Sequence, residues 1–308
     1  MANPFLTPAK IISGKDALEA AGPALAALGK KALIVTDSMM IKLGNLDKVL
    51  KVLNQHHIAY SIDAEINSEP CDTMIVHGLK QYQAEHCDFL IALGGGSPID
   101  SMKAIAMMSA DPDRPLNSYM GQPVETPLPK KVAIPTTAGT GSEATQFTII
   151  TDTENDVKML LKGGNLIPDL AIIDPQFTMT APKGVTSATG IDALCHAIEA
   201  YTSRLAQPLS DTFALSAVKR IFNNLTEAGI IHIHLSNIDH TRKIILITEF
   251  PCFLGSYLHT GFSGNNDNSC IGCADCFFHF SDKIKISRRI KDINLCFFPF
   301  NRNQTCAK

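Results

Sequence analysis

Apolar positions recur along the first part of the chain in two alternating rhythms. Continuous apolar runs stand in "ALIVTD" (32–37), "DFLIALGGGS" (88–97) and "KVAIPTT" (131–137), with a shorter β-rich run in "IAYSIDA" (58–64). Between them apolar residues fall three and four apart. In "NLDKVLKVLNQHH" Leu46, Val49, Leu50 and Leu53 share one helical face. "GKDALEAAGPALAALGKK", "CDTMIVHGLKQYQAEH" and "SMKAIAMM" also carry helical spacing. Apolar runs that do not alternate suit strands buried on both faces, and strands alternating with helices of this length predict a parallel sheet covered on both sides. From about residue 182 the pattern is helical, in "KGVTSATGIDALCHAIEAYTS" and "QPLSDTFALSAVKRIFNNL". The reading is an α/β domain over 1–181, then the start of a helical domain over 182–225.

The tail, 226–308, fits neither rhythm. It offers one plausible strand, "KIILITEF", and no countable helical face. Composition changes at the same place. Six of the nine cysteines (Cys252, Cys270, Cys273, Cys276, Cys296, Cys306) and nine of the fifteen phenylalanines lie after residue 225, where only Ala228, Ala274 and Ala307 represent alanine. The chain reads as two texts of different origin. A reading-frame shift near residue 225 with early termination accounts for the change as a hypothesis. Resequencing the coding DNA tests it, since a clean frame matching an independent isolate would dispose of it.

Bulk properties narrow the function classes. At 308 residues the chain has room for about two domains. Net charge is −3 and the isoelectric point near 6.4, so no basic field points to nucleic acid or an anionic membrane. No run of 18 apolar residues occurs, so no membrane span is expected. "MANPFLTPAK" lacks the basic-then-apolar layout of a signal peptide, and the expectation is a cytoplasmic protein with mostly reduced cysteines.

Three stretches carry candidate chemistry. "IALGGGSPIDSMKA" puts Gly94, Gly95, Gly96 and Ser97 between a strand and a helix. Glycines admit close backbone approach, and the free N–H groups of a helix start favour an anion such as a pyrophosphate. Ser97 serves equally as a helix N-cap. In "IPTTAGTGSEAT" (134–145) Thr136, Thr137, Thr140 and Ser142 can bond phosphate or ribose oxygens, or simply form a tight turn rich in capping groups. Neither stretch is the G-x-G-x-x-G fingerprint. Asp37 ends the first strand, where an acid accepts ribose hydroxyls and repels a 2′-phosphate, or else caps the next segment. Lys103 and Lys158 are ambiguous. Asp192 and His196, four apart on a helix, lie close enough to share one metal ion or to hydrogen-bond each other. In the tail, "CIGCADC" gives Cys270, Cys273 and Cys276 a C-x₂-C-x₂-C spacing suited to zinc or part of an iron–sulfur cluster, with His279 a possible fourth ligand.

Together "ALGGGSPIDSMKA", "AIPTTAGTGSEAT", "FTIITDTENDVKM", "PDLAIIDP" and "ATGIDALCHAIEAYTS" resemble the iron-containing (group III) alcohol dehydrogenase family, in order, through about residue 225. The resemblance implies an α/β nucleotide-binding domain followed by an all-helical, metal-binding domain (a dehydroquinate synthase-like arrangement), with the active site in the cleft between. It implies NAD held by Asp37, Asn67 of "INSEP", Gly94, Gly95, Gly96, Ser97, Asp100, Thr136, Thr137, Thr140, Ser142, Thr145, Ile149 and Lys158. It implies a divalent metal, Fe2+ with Zn2+ possible, on Asp192 and His196. The later family histidines, in text like "HA-x-AH-x-LGG" and "PHG", have no counterpart here; His259, near the family spacing for the next ligand, stands in unlike text. The implied activity is hydride transfer between a small alcohol or aldehyde and the nicotinamide, in a homodimer or larger homo-oligomer. Two alternatives stand beside it: a remnant that binds nucleotide without a complete metal site, and a metal- or redox-binding protein built on the cysteine tail.

Overall fold

The computed structural model of the chain describes residues 4–229 and two further short strands, His234–Ser236 and Ile245–Ile247. The elements run β1 (Lys10–Ser13), α1 (Ala17–Ala20), α2 (Gly22–Ala26), β2 (Lys31–Val35), α3 (Ser38–Lys42), α4 (Asn45–Gln55), β3 (Ala59–Asp63), α5 (Asp72–Ala84), β4 (Phe89–Gly94) and α6 (Gly96–Ala110). Then come β5 (Lys130–Pro135), β6 (Phe147–Asp152), β7 (Val157–Lys162), β8 (Leu170–Ile173), α7 (Pro175–Thr178), α8 (Lys183–Thr202), α9 (Pro208–Gly229), β9 (His234–Ser236) and β10 (Ile245–Ile247). The chain divides into two compact units, Met1–Leu194 and Cys195–Lys308, with the boundary inside α8.

The first unit is built on a six-stranded sheet in the order β1-β8-β5-β4-β2-β3, every pair parallel. The apolar strand runs follow from this. Alternate residues of each strand feed opposite cores, so both parities must be apolar. Leu33, Val35, Leu90, Ala92 and Ala133 face one core with α5 and α6. Ala32, Ile34, Phe89, Ile91, Leu93, Val132 and Ile134 face the other with α1, α2 and α4. This is the parallel α/β domain that the alternating rhythm implies, with helices after it.

Helix α6 is mostly apolar because it is covered twice. One side meets the sheet; the other meets the antiparallel hairpin β6–β7, whose Ile150, Met159 and Leu161 join the same core. A helix without a polar face belongs in such a place. Three features depart from the pattern reading. The edge strand β1 is only four residues long, and the hairpin breaks its apolar positions with the buried Thr148 and Asp152 and a polar turn. The stretch "GKDALEAAGPALAALGKK" is two short helices, α1 and α2, broken ahead of Gly22-Pro23, where proline opens α2.

The second unit begins within α8 and continues into α9. In the tail, β9 and β10 pair antiparallel, and β10 falls inside the expected strand "KIILITEF". His259, Cys270, Cys273, Cys276 and His279 lie outside the described residues. Among the described residues no helix is long and apolar enough to cross a membrane.

Candidate functional site

From β2 the chain moves outward to β3, then returns to lay β4 on the other side of β2 and continues to β5. The carboxyl ends of β2 and β4 therefore flank a topological switch point, where open α/β sheets offer a crevice for ligands. Asp37 follows β2, the glycine turn follows β4, and Thr136 follows β5. Register holds them level, with Val35 opposite Ala92 and Gly94 opposite Pro135. The Thr36 hydroxyl donates to the Leu93 carbonyl at 2.8 Å, and the Thr136 N–H donates to the Gly94 carbonyl at 2.9 Å.

At Gly94 φ is +154°, and a Cβ there would sit 2.5 Å from Pro98. Only glycine turns so tightly into the helix. A Cβ on Gly96 would meet Thr140 Cγ2 at 3.1 Å, so the glycine turn and the threonine-rich loop pack backbone to side chain. Helix α6 starts at Gly96 with Gly95 as N-cap, and no side chain caps it. Ser97 thus sits inside the first turn rather than at the N-cap, and the N-cap alternative falls. The N–H groups of Gly96 and Ser97 face outward from the helix start, and Pro98 brings no N–H. An unblocked start of a 15-residue helix beside a side-chain-free turn fits a pyrophosphate.

Asp37 takes the capping role that its position allowed: Oδ1 accepts from the Met40 N–H at 2.9 Å and starts α3. A carboxylate has about four acceptor sites, so capping leaves room for ribose hydroxyls. Asn67 fastens the turn after β2, since its Oδ1 accepts from the Ser38 N–H at 3.0 Å and its Nδ2 donates to the Ala64 carbonyl at 3.1 Å. Lys158 is exposed and forms an ion pair with Glu69 at 2.9 Å. Thr151 N–H to the Pro70 carbonyl, and Thr153 to Asp72, bind the hairpin to the same segment. Ser142 is buried with its N–H on Thr140 Oγ1 at 3.3 Å, and Ile149 is 46% exposed beyond them.

Beneath this layer lies a cluster that sequence reasoning left ambiguous. Lys103 is fully buried. Its Nζ donates to the Thr145 carbonyl (3.0 Å), Thr145 Oγ1 (3.2 Å) and the Phe147 carbonyl (2.8 Å). Asp100, one turn earlier, accepts from the Ile149 N–H at 3.1 Å, and its backbone carbonyl accepts from the Thr148 hydroxyl at 2.8 Å. Asp100 Oδ1 is buried with no hydrogen-bond partner among the described residues. Burial pushes the Asp100 carboxyl up, opposed by Lys103 and the Ile149 N–H. Burial also pushes Lys103 down to about 8, opposed by Asp100 and Glu143. The available signal was a lone lysine inside "SMKAIAMM", where every neighbour is apolar or small.

Helix α8 comes close to the threonine-rich loop. A Cβ on Gly139 would lie 2.4 Å from the Thr189 carbonyl oxygen. Asp192 and His196 follow on α8 at the expected i, i+4 spacing, Asp192 half-buried and His196 exposed. They supply a carboxylate and an imidazole. Among the described residues no group of three or more His, Cys, Asp and Glu side chains gathers that could hold a metal ion. The described donor set therefore does not fit a complete metal centre, whereas the crevice residues fit a dinucleotide.

These features define a parallel α/β domain of the dehydrogenase type, with helices after it. Profiles of two families match the chain: "Iron-containing alcohol dehydrogenase" over residues 8–175, and "Fe-containing alcohol dehydrogenase family, C-terminal" over 186–232. The chain belongs to the iron-containing alcohol dehydrogenase family. It is 41% identical over 230 residues to the NAD-dependent methanol dehydrogenase of Bacillus methanolicus, a match covering 74% of this chain and 60% of the relative. It is 39% identical over 228 residues to the 1,3-propanediol dehydrogenase of Citrobacter freundii, covering 73% and 59%. Among solved structures, a 1,3-propanediol oxidoreductase superposes with a TM-score of 0.72 at 38% identity, covering 75% of this chain and 60% of that one. An iron-containing alcohol dehydrogenase of Thermotoga maritima gives 0.69 at 36% identity, covering 74% and 63%. The chain thus spans about 60% of the length of these relatives.

Proposed function

We propose that the chain is an NAD-linked oxidoreductase of small primary alcohols or diols and their aldehydes. The observation that carries the reading is the crevice at the β2–β4 switch point, where the Gly94–Gly96 turn, the start of α6 and the Thr136–Thr140 loop meet. The relatives' names support the rest, since one is an NAD-dependent methanol dehydrogenase and another a 1,3-propanediol dehydrogenase.

Each side chain has a stated task. The Gly96 and Ser97 N–H groups take the pyrophosphate at the positive end of α6. Thr136, Thr137, Thr140 and Ser142 contribute hydroxyls along its path, with Thr145 and Ile149 at the far end of the loop and Asp100 beneath. Asp37 and Asn67 hold the adenosine ribose side, and the Asp37 charge disfavours a 2′-phosphate. Lys158 leaves Glu69 to meet a cofactor oxygen. NAD held by these residues would supply a hydride acceptor or donor at the nicotinamide, taking the hydride from the alcohol carbon with release of the hydroxyl proton. The protein fixes distance and orientation, which convert an encounter into a unimolecular step.

Asp192 and His196 are proposed as two donors for the divalent metal, Fe2+ or Zn2+, that the family name implies. On the family resemblance the protein works in the cytoplasm as a homodimer or larger assembly. Purified chain is assayed for NADH binding, and for NAD reduction with small alcohols in the presence of added Fe2+ or Zn2+. Saturable binding with alcohol-dependent turnover supports the reading. Binding without turnover leaves a nucleotide-binding protein alone, and no binding at all defeats the reading at its root.

A further inference from the structure

The Thr136–Thr145 loop is fastened at both ends, and a buried ammonium takes part in its distal fastening. At the near end, the Thr136 N–H bonds to the Gly94 carbonyl, so the loop leaves the sheet beside the glycine turn. In the middle, Thr137 and Thr140 press on Gly95 and Gly96. At the far end, the Gln146 carbonyl accepts from the Gly163 N–H at 3.0 Å and β6 begins at Phe147, so the backbone bonding stops one residue past Thr145. Lys103 carries the fastening back to Thr145 itself. It spends all three of its N–H groups on the last loop residue, Thr145, and on the first strand residue, Phe147. Asp100 extends the same seam to Thr148 and Ile149.

We propose that Lys103 is a positioning residue for the nucleotide: by clamping Thr145 and Phe147 to α6, it holds the threonine-rich loop against the glycine turn and sets cofactor affinity without touching the cofactor. The inference rests on the nucleotide-binding reading given above. Three features support it. The side chain has no solvent exposure, so no ligand reaches it. Its partners are two carbonyls and one hydroxyl, an arrangement that a cation with three N–H groups satisfies and a methylene chain does not. Burying a lysine opposes its charge, and the side chain is fully buried nonetheless, with all three N–H groups bonded.

The test uses the full chain and NADH as probe, with affinity read from nucleotide fluorescence. In Lys103→Met three bonds from a charged donor are lost, and NADH affinity falls by about tenfold or more. Amide exchange quickens selectively at residues 140–149 while the strands β2 and β4 stay protected. Thr145→Val removes one acceptor and leaves the backbone intact; if Lys103→Met does not fold, faster amide exchange at residues 146–149 in ligand-free Thr145→Val reports the clamp, since a lost direct contact with NADH would not change it. It weakens NADH severalfold in the wild-type background and has a smaller effect in Lys103→Met, because the two share one interaction. Wild-type NADH affinity retained in Lys103→Met, or Thr145→Val equally harmful with and without Lys103, overturns the clamp while the nucleotide site stands. NADH binding missing from the wild-type chain sinks both together, which separates the two failures.

Discussion

Thr36 and Leu93 are joined across the switch point by a buried hydrogen bond, hydroxyl to carbonyl, at 2.8 Å. The bond ties the last turn of β2 to the last turn of β4, so Asp37 and Gly94 keep a fixed separation. Thr36→Val preserves shape and removes the donor. The expected loss is about 1–2 kcal/mol of unfolding free energy, measured by urea denaturation. NADH affinity should fall in parallel, because both halves of the cradle lose their common reference.

Gly139 and Thr189 make the second close approach. A methyl group on Gly139 would stand 2.4 Å from a backbone oxygen, which no rotamer change relieves. Gly139→Ala must move either the loop or α8, and overpacking of this kind costs about 1–3 kcal/mol. Gly44 is the control: its φ is +68°, but nothing lies within 4 Å of the added carbon. Gly44→Ala should cost about 1 kcal/mol from backbone strain alone and leave NADH binding unchanged. Equal NADH binding in the two variants would remove Gly139 from any role in shaping the site.

The strands of the sheet are legible because burial on both faces demands unbroken apolar runs, as in Phe89–Leu93. The long helices α4, α8 and α9 are legible because their spacing is regular. The hairpin β6–β7 is not, since its inward positions include Thr148 and Asp152 and its turn, "TEND", is polar. The cradle is readable at Gly94–Ser97, because three glycines between a strand and a helix mark a close backbone approach. The support beneath it is not, because the fate of Lys103 is set by carbonyls more than forty positions away in sequence. Ser97 misleads for a local reason: the helix starts two residues earlier than its hydroxyl suggests. Asp37 illustrates two uses in one residue, a cap seen directly and a ribose contact inferred.

That double use of Asp37 can be divided. Asp37→Ser retains an oxygen that accepts from the Met40 N–H, so α3 keeps its cap, but the negative charge is gone. Asp37→Ala loses both. Thermal unfolding should therefore separate the variants, with Ala less stable than Ser by about 1 kcal/mol. Nucleotide preference should not separate them, because both lose the charge that repels a 2′-phosphate. Each is expected to narrow the gap between NADH and NADPH affinity. A preference for NADH undiminished in Asp37→Ser would show that discrimination lies elsewhere.

Lys103 makes a pH prediction with two opposite signs. Its ordinary value is 10.5, and burial brings it to about 8 in the folded chain. Between those values the unfolded chain carries a proton that the folded chain lacks. Stability contributed by this group therefore rises as pH climbs through the window, and the burial cost of the charge, about 3 kcal/mol, is felt in full below it. Asp100 and Glu143 face the ammonium and oppose the shift, while Lys131 adds to it. Other groups titrate nearby: burial pushes the Cys87 thiol up to about 11, which lowers stability over part of the same range. The difference between wild type and Lys103→Met isolates the lysine. Relative to the variant, wild type should gain unfolding free energy between about pH 8 and 10.5. NADH binding should move the other way, because a neutral amine has two N–H groups for three acceptors and the loop loosens. If affinity and stability instead rise together across that window in wild type, the ammonium does not hold the loop.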